Sequence, residues 1–212
     1  MIRLNAALAF RCPETVVSRV SFAILFNVIR MSEEFIQKAR RFAELAHGLV
    51  LNSQGELGQR RKGTNEPYTK HLSEVAKLVA ECGGDEAQVA AAWLHDVVED
   101  TPVPLTHVRA VFGSDVAHLV QELTDKFTKQ NYPGLNRHQR KAKEVERLSK
   151  ISDRAKTIKY ADFVSNLESV SVLGPNFGEV YTREVAEALR SMHGGDETLR
   201  SSALVAVDRA LR

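Results

Sequence analysis

The chain is short of cysteine, of long apolar runs and of charge of one sign. Its two cysteines, Cys12 and Cys82, form no Cys-x-x-Cys pair, which argues against a disulfide framework and fits a reducing, cytoplasmic compartment. No stretch approaches eighteen apolar residues, so no membrane span is expected. A formal net charge of +2 over 212 residues is far from the one-sided excess usual in nucleic-acid and membrane-surface binders. Strand-type alternation is missing too, as are internal repeats and low-complexity stretches. What remains is an ordinary globular composition, 43% apolar and 26% charged. The length suits one hydrophobic core and is too small for two full domains.

Residues 1–30 differ from the rest, with Arg3, Arg11, Arg19 and Arg30 against the single acid Glu14. They are read as an N-terminal extension: a targeting segment, an accessory helix, or sequence upstream of a true start at Met31. Met31-Ser32-Glu33-Glu34 reads equally as a fresh start and as a helix N-cap with acids in the first turn. The remainder divides into a domain over 31–193 and a tail or packed helix over 194–212.

Helical spacing dominates that domain, and the expected fold is an all-α bundle of roughly eight to ten helices. Phe35, Ile36, Ala39, Phe42, Ala43 and Ala46 mark a first helix of the core. A glycine-bearing loop over 52–67 follows, then a helix over 69–82 stopped by Gly83-Gly84. Asp85 caps a helix over 86–98 that is apolar almost all round, which makes it the expected central element. Two shorter helices flank a turn at 112–115, residues 126–139 form an irregular loop, and one long helix runs from Arg140 to about Val170. A helix over 181–192 closes the fold.

The strongest chemical feature is His95-Asp96-Val97-Val98-Glu99-Asp100, four ionisable groups directly after a buried tryptophan-containing run. Unpaired charge there is costly, and acids oppose the dipole at a helix C-terminus, so an ordinary polar helix end is the weaker reading. Asp162 and Asn166 sit i,i+4 on another helix, and His71 opens a third. Two imidazoles and two carboxylates can thus be gathered from three helices, a mixed N/O set suited to Mn²⁺, Fe²⁺ or Zn²⁺. Such a metal acidifies a bound water and polarises a phosphoryl oxygen.

The succession His71, His95-Asp96, Asp162 resembles the HD-domain metal phosphohydrolases. The segments Arg61-Lys62, Glu66-Pro67-Tyr68, His71, His95–Thr101 and Lys159–Asp162 with Asn166-Leu167 resemble more narrowly the RelA/SpoT-type ppGpp hydrolase domains. Their small alarmone hydrolases of the metazoan SpoT homolog type look closer still, with the likeness covering residues 33–190. The resemblance implies one Mn²⁺ held by His71, His95, Asp96 and Asp162, with Glu99 and Asp100 orienting or activating the attacking water. It also implies substrate contacts from Arg61, Lys62, Asn166, Thr124 and Lys159, and lining roles for His47, Tyr68 and Tyr160. The implied reaction takes the 3′-pyrophosphate from ppGpp or pppGpp and leaves GDP or GTP.

Two positions depart from the family pattern. Phe163 stands where a basic residue is usual, and Tyr160 where a small aliphatic one is. The choice among guanosine alarmones, ppApp and the 2′-phosphate of NADPH is therefore open. Rival readings are a general HD nucleotide phosphohydrolase, a non-catalytic nucleotide sensor, and a nucleic-acid module using residues 137–159, which hold nine Arg or Lys against three acids. The intact Glu99-Asp100 pair argues against a sensor. The basic run reads by default as a solvated helix face. The expected partner is a small nucleotide, with a homodimer left open, and no membrane.

Overall fold

Nine α-helices and one 3₁₀ turn make up the regular structure of residues 16–212, the part of the chain described by the computed structural model. The helices are α1 (Val16–Gly48), α2 (Tyr68–Glu81), α3 (Glu86–Leu94), α4 (Val97–Asp100) and α5 (Leu105–Leu123). After them come α6 (Arg137–Ser149), α7 (Asp153–Glu168), the 3₁₀ turn Val170–Leu173, α8 (Pro175–Ser191) and α9 (Glu197–Ala210). Among the described residues the only β pairing is two isolated bridges, Leu51 with Leu57 and Arg60 with Pro67. Both fold the loop between α1 and α2. No described helix is long and apolar enough to cross a membrane. The chain divides into two units, Met1–Glu34 and Phe35–Arg212, and the core and site described below belong to the second.

Two helices form the centre. α3 is buried from Gln88 to Leu94, and its run of alanines lets α2, α5 and α7 approach closely. α7 is buried over most of its length and packs against α2, α3, α5 and α9. Removing a wholly buried side chain such as Leu94 from this core should cost about 2–5 kcal/mol. Caps fix where these helices begin. Asp85 accepts from the Gln88 amide and the Gln88 side chain returns the bond, a capping box that starts α3. Asn136 and Gln139 do the same for α6.

Several sequence boundaries need correction. Helix α1 runs through Met31 and Ser32 without interruption, so Ser32 is not an N-cap. The helix expected over 86–98 stops at Leu94, and His95-Asp96 separate it from α4. The turn expected at 112–115 is borne out at Gly113, whose φ 87° and ψ 174° are non-helical, so α5 is two helical runs that meet at a kink there. The long helix expected from Arg140 onward is two helices. They are separated because the Ser152 hydroxyl caps the Ala155 amide while the Glu122 carboxylate accepts from both the Ser152 amide and its hydroxyl. The terminal stretch is the helix α9, which lays Leu199, Ala203 and Val207 against the core. Residues 124–136 are irregular, as expected, and buried Glu144 ties them down by accepting from the amides of Lys126 and Phe127.

Candidate metal and active site

Three chain segments deliver the site. α2 starts directly after Pro67 and carries Tyr68, His71 and Glu74 at helical spacing. α3 ends just before His95, and Asp96 takes φ −99° and ψ −1°, the sparsely populated bridge region in which a helix turns off its axis. On a continuous helix, adjacent side chains point about 100° apart. The break brings His95 and Asp96 to one place. α7 supplies Asp162, Ser165 and Asn166 from a single face.

The ligand atoms converge. His71, His95 and Asp162 each present one donor atom, all within 4.8 Å of one another. His71 Nε2 lies 3.2 Å from His95 Nε2 and 3.3 Å from Asp162 Oδ1. His95 Nε2 is 3.0 Å from Asp96 Oδ2, which is 3.6 Å from His71 Nε2. Ligands bound at about 2.1 Å sit about 3.0 Å apart at right angles and about 3.4 Å apart in a tetrahedron, so these spacings fit one metal ion.

The outer nitrogens of both rings are engaged. His95 Nδ1 is 2.8 Å from the Ala92 carbonyl, which can only accept, so this nitrogen carries a hydrogen, and in the neutral ring Nε2 holds the lone pair. His71 Nδ1 is 2.9 Å from Ser165 Oγ. Two imidazoles and two carboxylates therefore gather around one spot, with the Tyr68 hydroxyl on Asp96 Oδ2 and the Asn166 amide on Asp162 Oδ1 at its edge, an arrangement that suits a cation. Burial disfavours charge on His95, but Asp96 and Asp162 outweigh it and hold its pKa well above the usual histidine value. His71 is likewise raised against its burial by Asp162 and Asp96. Burial pushes the two carboxylates up, yet both end well below their usual range. His95 and His71 lower Asp96, and Lys159, whose Nζ is 2.8 Å from Asp162 Oδ2, leads in lowering Asp162.

A second set of contacts surrounds this centre. The Tyr68 hydroxyl donates to Asp96 Oδ2 at 2.5 Å, and its ring stacks on the buried His47. His47 Nδ1 faces Gln59 Oε1 at 2.6 Å, and Gln59 Nε2 donates to Asp100 Oδ2 at 2.7 Å. Glu99 accepts from the Asp125 amide. The protein around its carboxyl, then Asp125 and Asp96, push Glu99 up to about 7. Asp100 is raised by its surroundings and by Asp96.

Two cavities adjoin the centre and share Tyr68, Asn166 and Tyr181. One, of 210 Å³, reaches Asp96, Glu99, Asp125, Lys141, Lys159 and Asp162. The other, of 320 Å³, is walled by Gln59, Arg60, Arg61, Lys62, Asp100 and Phe177. His71, His95, Asp96 and Asp162 are thus assembled together, with Glu99, Asp100, Lys159, Asn166 and Tyr68 beside them. Lys62 lies on the wall of the larger cavity.

Four other candidates sit differently. Arg61 is only 8% exposed and directs its guanidinium to Glu74, the Ser165 carbonyl and Asn166. Thr124 closes the end of α5 by donating to the Val120 carbonyl and lines neither cavity. Tyr160 is a correction: it is fully buried, lines neither cavity, and donates to the Gly194 carbonyl at 2.9 Å on the way to α9. His47 supports Tyr68 and Gln59 from behind and also lines neither cavity. Sequence reasoning passed over Gln59, Glu74, Ser165 and Tyr181. Two of them carried a spacing signal, since Glu74 is three residues beyond His71 and Ser165 three beyond Asp162.

The HD domain family matches residues 39–190. The chain belongs to the HD domain family. Among its relatives in that family, the guanosine-3′,5′-bis(diphosphate) 3′-pyrophosphohydrolase MESH1 of Drosophila melanogaster is 42% identical over 120 residues, which are 55% of this chain and 64% of the relative. A probable guanosine-3′,5′-bis(diphosphate) 3′-pyrophosphohydrolase of Synechocystis is 36% identical over 130 residues, 61% of this chain and 17% of the relative. The match therefore spans less than two thirds of either of these proteins. A solved structure described as a metazoan ortholog of SpoT that hydrolyzes ppGpp superposes with a TM-score of 0.70 at 29% identity, covering 84% of this chain and 97% of that one.

Proposed function

We propose that this HD domain protein is a divalent-metal phosphohydrolase that uses Mn²⁺ to release the 3′-pyrophosphate of ppGpp and pppGpp, leaving GDP or GTP. The observation that carries this reading is the convergence of two carboxylates and two imidazole Nε2 atoms beside a cavity that holds both acids and lysines. The relatives' guanosine-3′,5′-bis(diphosphate) 3′-pyrophosphohydrolase activity supports the substrate class. His71, His95, Asp96 and Asp162 would hold the metal, and their mixed N/O set suits Mn²⁺. When bound, such an ion acidifies a water and draws charge from a phosphoryl oxygen.

The chain's own groups supply the rest. Glu99, with a pKa near neutrality, takes the water's proton and can return one to the departing 3′-oxygen. Asp100, fixed by Gln59, orients the same water. Lys159 and Lys141 offset charge on the pyrophosphate in the smaller cavity. Arg60 and Lys62 stand ready for anionic groups in the larger one, next to the apolar face of Phe177. Action on a free nucleotide in a reducing cytoplasm is consistent with the unpaired thiol of Cys82.

The test is turnover of ppGpp, ppApp, NADPH and dGTP by the metal-free full chain, with and without added Mn²⁺, and with Asp96→Asn as control. Pyrophosphate from ppGpp that needs both Mn²⁺ and Asp96 is expected. Phosphate from NADPH alone would move the activity to the 2′-phosphate. No turnover of any of the four by Mn²⁺-loaded protein would overturn the assignment.

A further inference from the structure

We propose that Ser165 and Glu74, with Arg61 behind them, form a positioning relay that holds His71 with its Nε2 lone pair aimed at the metal; this rests on the metal reading above. The hydrogen-bond inventory leaves one arrangement. Ser165 Oγ is buried, 2.7 Å from Glu74 Oε2 and 2.9 Å from His71 Nδ1. A carboxylate only accepts, so the single hydroxyl proton goes to Glu74, and the oxygen is left to accept from His71. His71 Nδ1 must then carry its hydrogen, which leaves Nε2 bare on the side facing His95 and Asp162.

Arg61 holds the far end. Its Nη1 lies 3.2 Å from Glu74 Oε2, and its Nη2 donates to the Ser165 carbonyl at 2.6 Å and to Asn166 Oδ1 at 3.3 Å. The contacts to Ser165 and Asn166 join the α2 side of the site to α7. Glu74 is one turn beyond His71 on α2, and Ser165 one turn beyond Asp162 on α7. The relay therefore sets the ring state of one ligand and the spacing between the helices that carry two of them. His95 needs no such device, because its Nδ1 is satisfied by the Ala92 carbonyl of its own helix. With its guanidinium engaged by Glu74, Ser165 and Asn166, Arg61 acts as a positioning residue, and it also lines the larger cavity between Arg60 and Lys62.

The experiment measures Mn²⁺ affinity of the metal-free full chain by calorimetry, and the His71 tautomer by long-range ¹H–¹⁵N correlation at a pH that leaves the ring neutral. Wild type should show the Nδ1–H form. Ser165→Ala should weaken Mn²⁺ binding about 10–100-fold, as loss of a ligand's hydrogen-bond partner does elsewhere, and should release the tautomer. Ser165→Thr, which restores the hydroxyl, should recover most of the affinity. Glu74→Met, which removes the acceptor, serves as a second probe with the same direction of change should Ser165→Ala fold poorly. An Nε2–H tautomer in wild type overturns the relay without any variant. So does unchanged Mn²⁺ affinity in folded Ser165→Ala or Glu74→Met. A wild type that binds no Mn²⁺ overturns the metal reading itself, a result distinct from both.

Discussion

Glu99 is the group whose charge should set the acid limb of the pH–rate profile. Crowding by the protein lifts its carboxyl to about 7, and the neighbouring Asp125 charge is the next cause. A base must be ionised to act, so activity should fall as pH drops through the Glu99 pKa, which a bound cation sets below its metal-free value of about 7. One pH unit below that pKa, only about one carboxyl in eleven is ionised. Asp125→Asn removes a like charge, and it also frees Lys141, now 3.0 Å from Asp125 Oδ2, to act on Glu99. Both changes favour the ionised form, so the limb should move down. Were it to move down by one unit, about half the carboxyls would be ionised one unit below the wild-type pKa, roughly a fivefold gain in kcat/KM at that pH. A cation at Asp96 lowers Glu99 in wild type and variant alike, so the comparison is made on metal-saturated enzymes between pH 5 and 9. Glu99→Gln should lose about 10²–10⁴ in kcat across the range. An unmoved limb in Asp125→Asn, together with less than a tenfold loss in Glu99→Gln, would refute this role and leave Asp100 as the base.

Three further outcomes are expected. Tyr160→Phe deletes the hydroxyl bonded to the Gly194 carbonyl and should cost about 1 kcal/mol, seen as a Tm lower by about 2–4 °C with KM unchanged. A raised KM would place Tyr160 in substrate binding after all. Gly113→Ala puts a Cβ where no atom lies within 4 Å, so its cost is that of the backbone at φ +87° alone, about 1–3 kcal/mol by thermal or urea unfolding. Mn²⁺ at one hundred times its dissociation constant should stabilise the folded protein by about 2.7 kcal/mol, and a chelator should remove that gain. His71→Ala should show no comparable Mn²⁺-dependent rise in Tm.

Apolar periodicity made the helices legible, and capping residues made many of their starts legible. Asp85 with Gln88 is visible as a capping box because both partners lie within four residues. The break between α6 and α7 was hidden because Ser152 is held by Glu122, thirty residues earlier in the chain. The kink at Gly113 could be foreseen as a turn. At the site, the ligand candidates announced themselves as charged residues beside a buried run. What did not show was the end of α3 at Leu94. The acids at 99 and 100 look misplaced at the C-terminus of one long helix, but α3 stops at Leu94 and they sit on the separate single turn α4, which has no long helix dipole to oppose them. The structural contacts of Arg61 were hidden in the sequence because its partners Glu74, Ser165 and Asn166 lie thirteen or more residues away, whereas its place on the cavity wall agrees with its reading as a cation beside the site.

The charge balance of the centre ties these observations together. Asp96 and Asp162 stay ionised because His95 and Lys159 stand against them. Lys159 reaches Asp162 Oδ2, whereas the trio with His71 and His95 uses Oδ1. The lysine therefore offsets one carboxylate from outside without filling the space between the imidazoles. That space faces two carboxylates that Tyr68 and Asn166 each reach with a single neutral donor, and in metal-free protein protons on the two rings balance the remaining charge, which is why both histidines are raised despite their burial. A metal ion must displace those protons to bind. The outer partners of the rings, Ala92 and Ser165, favour that exchange, since each fixes the tautomer whose inner nitrogen is free once its proton has left.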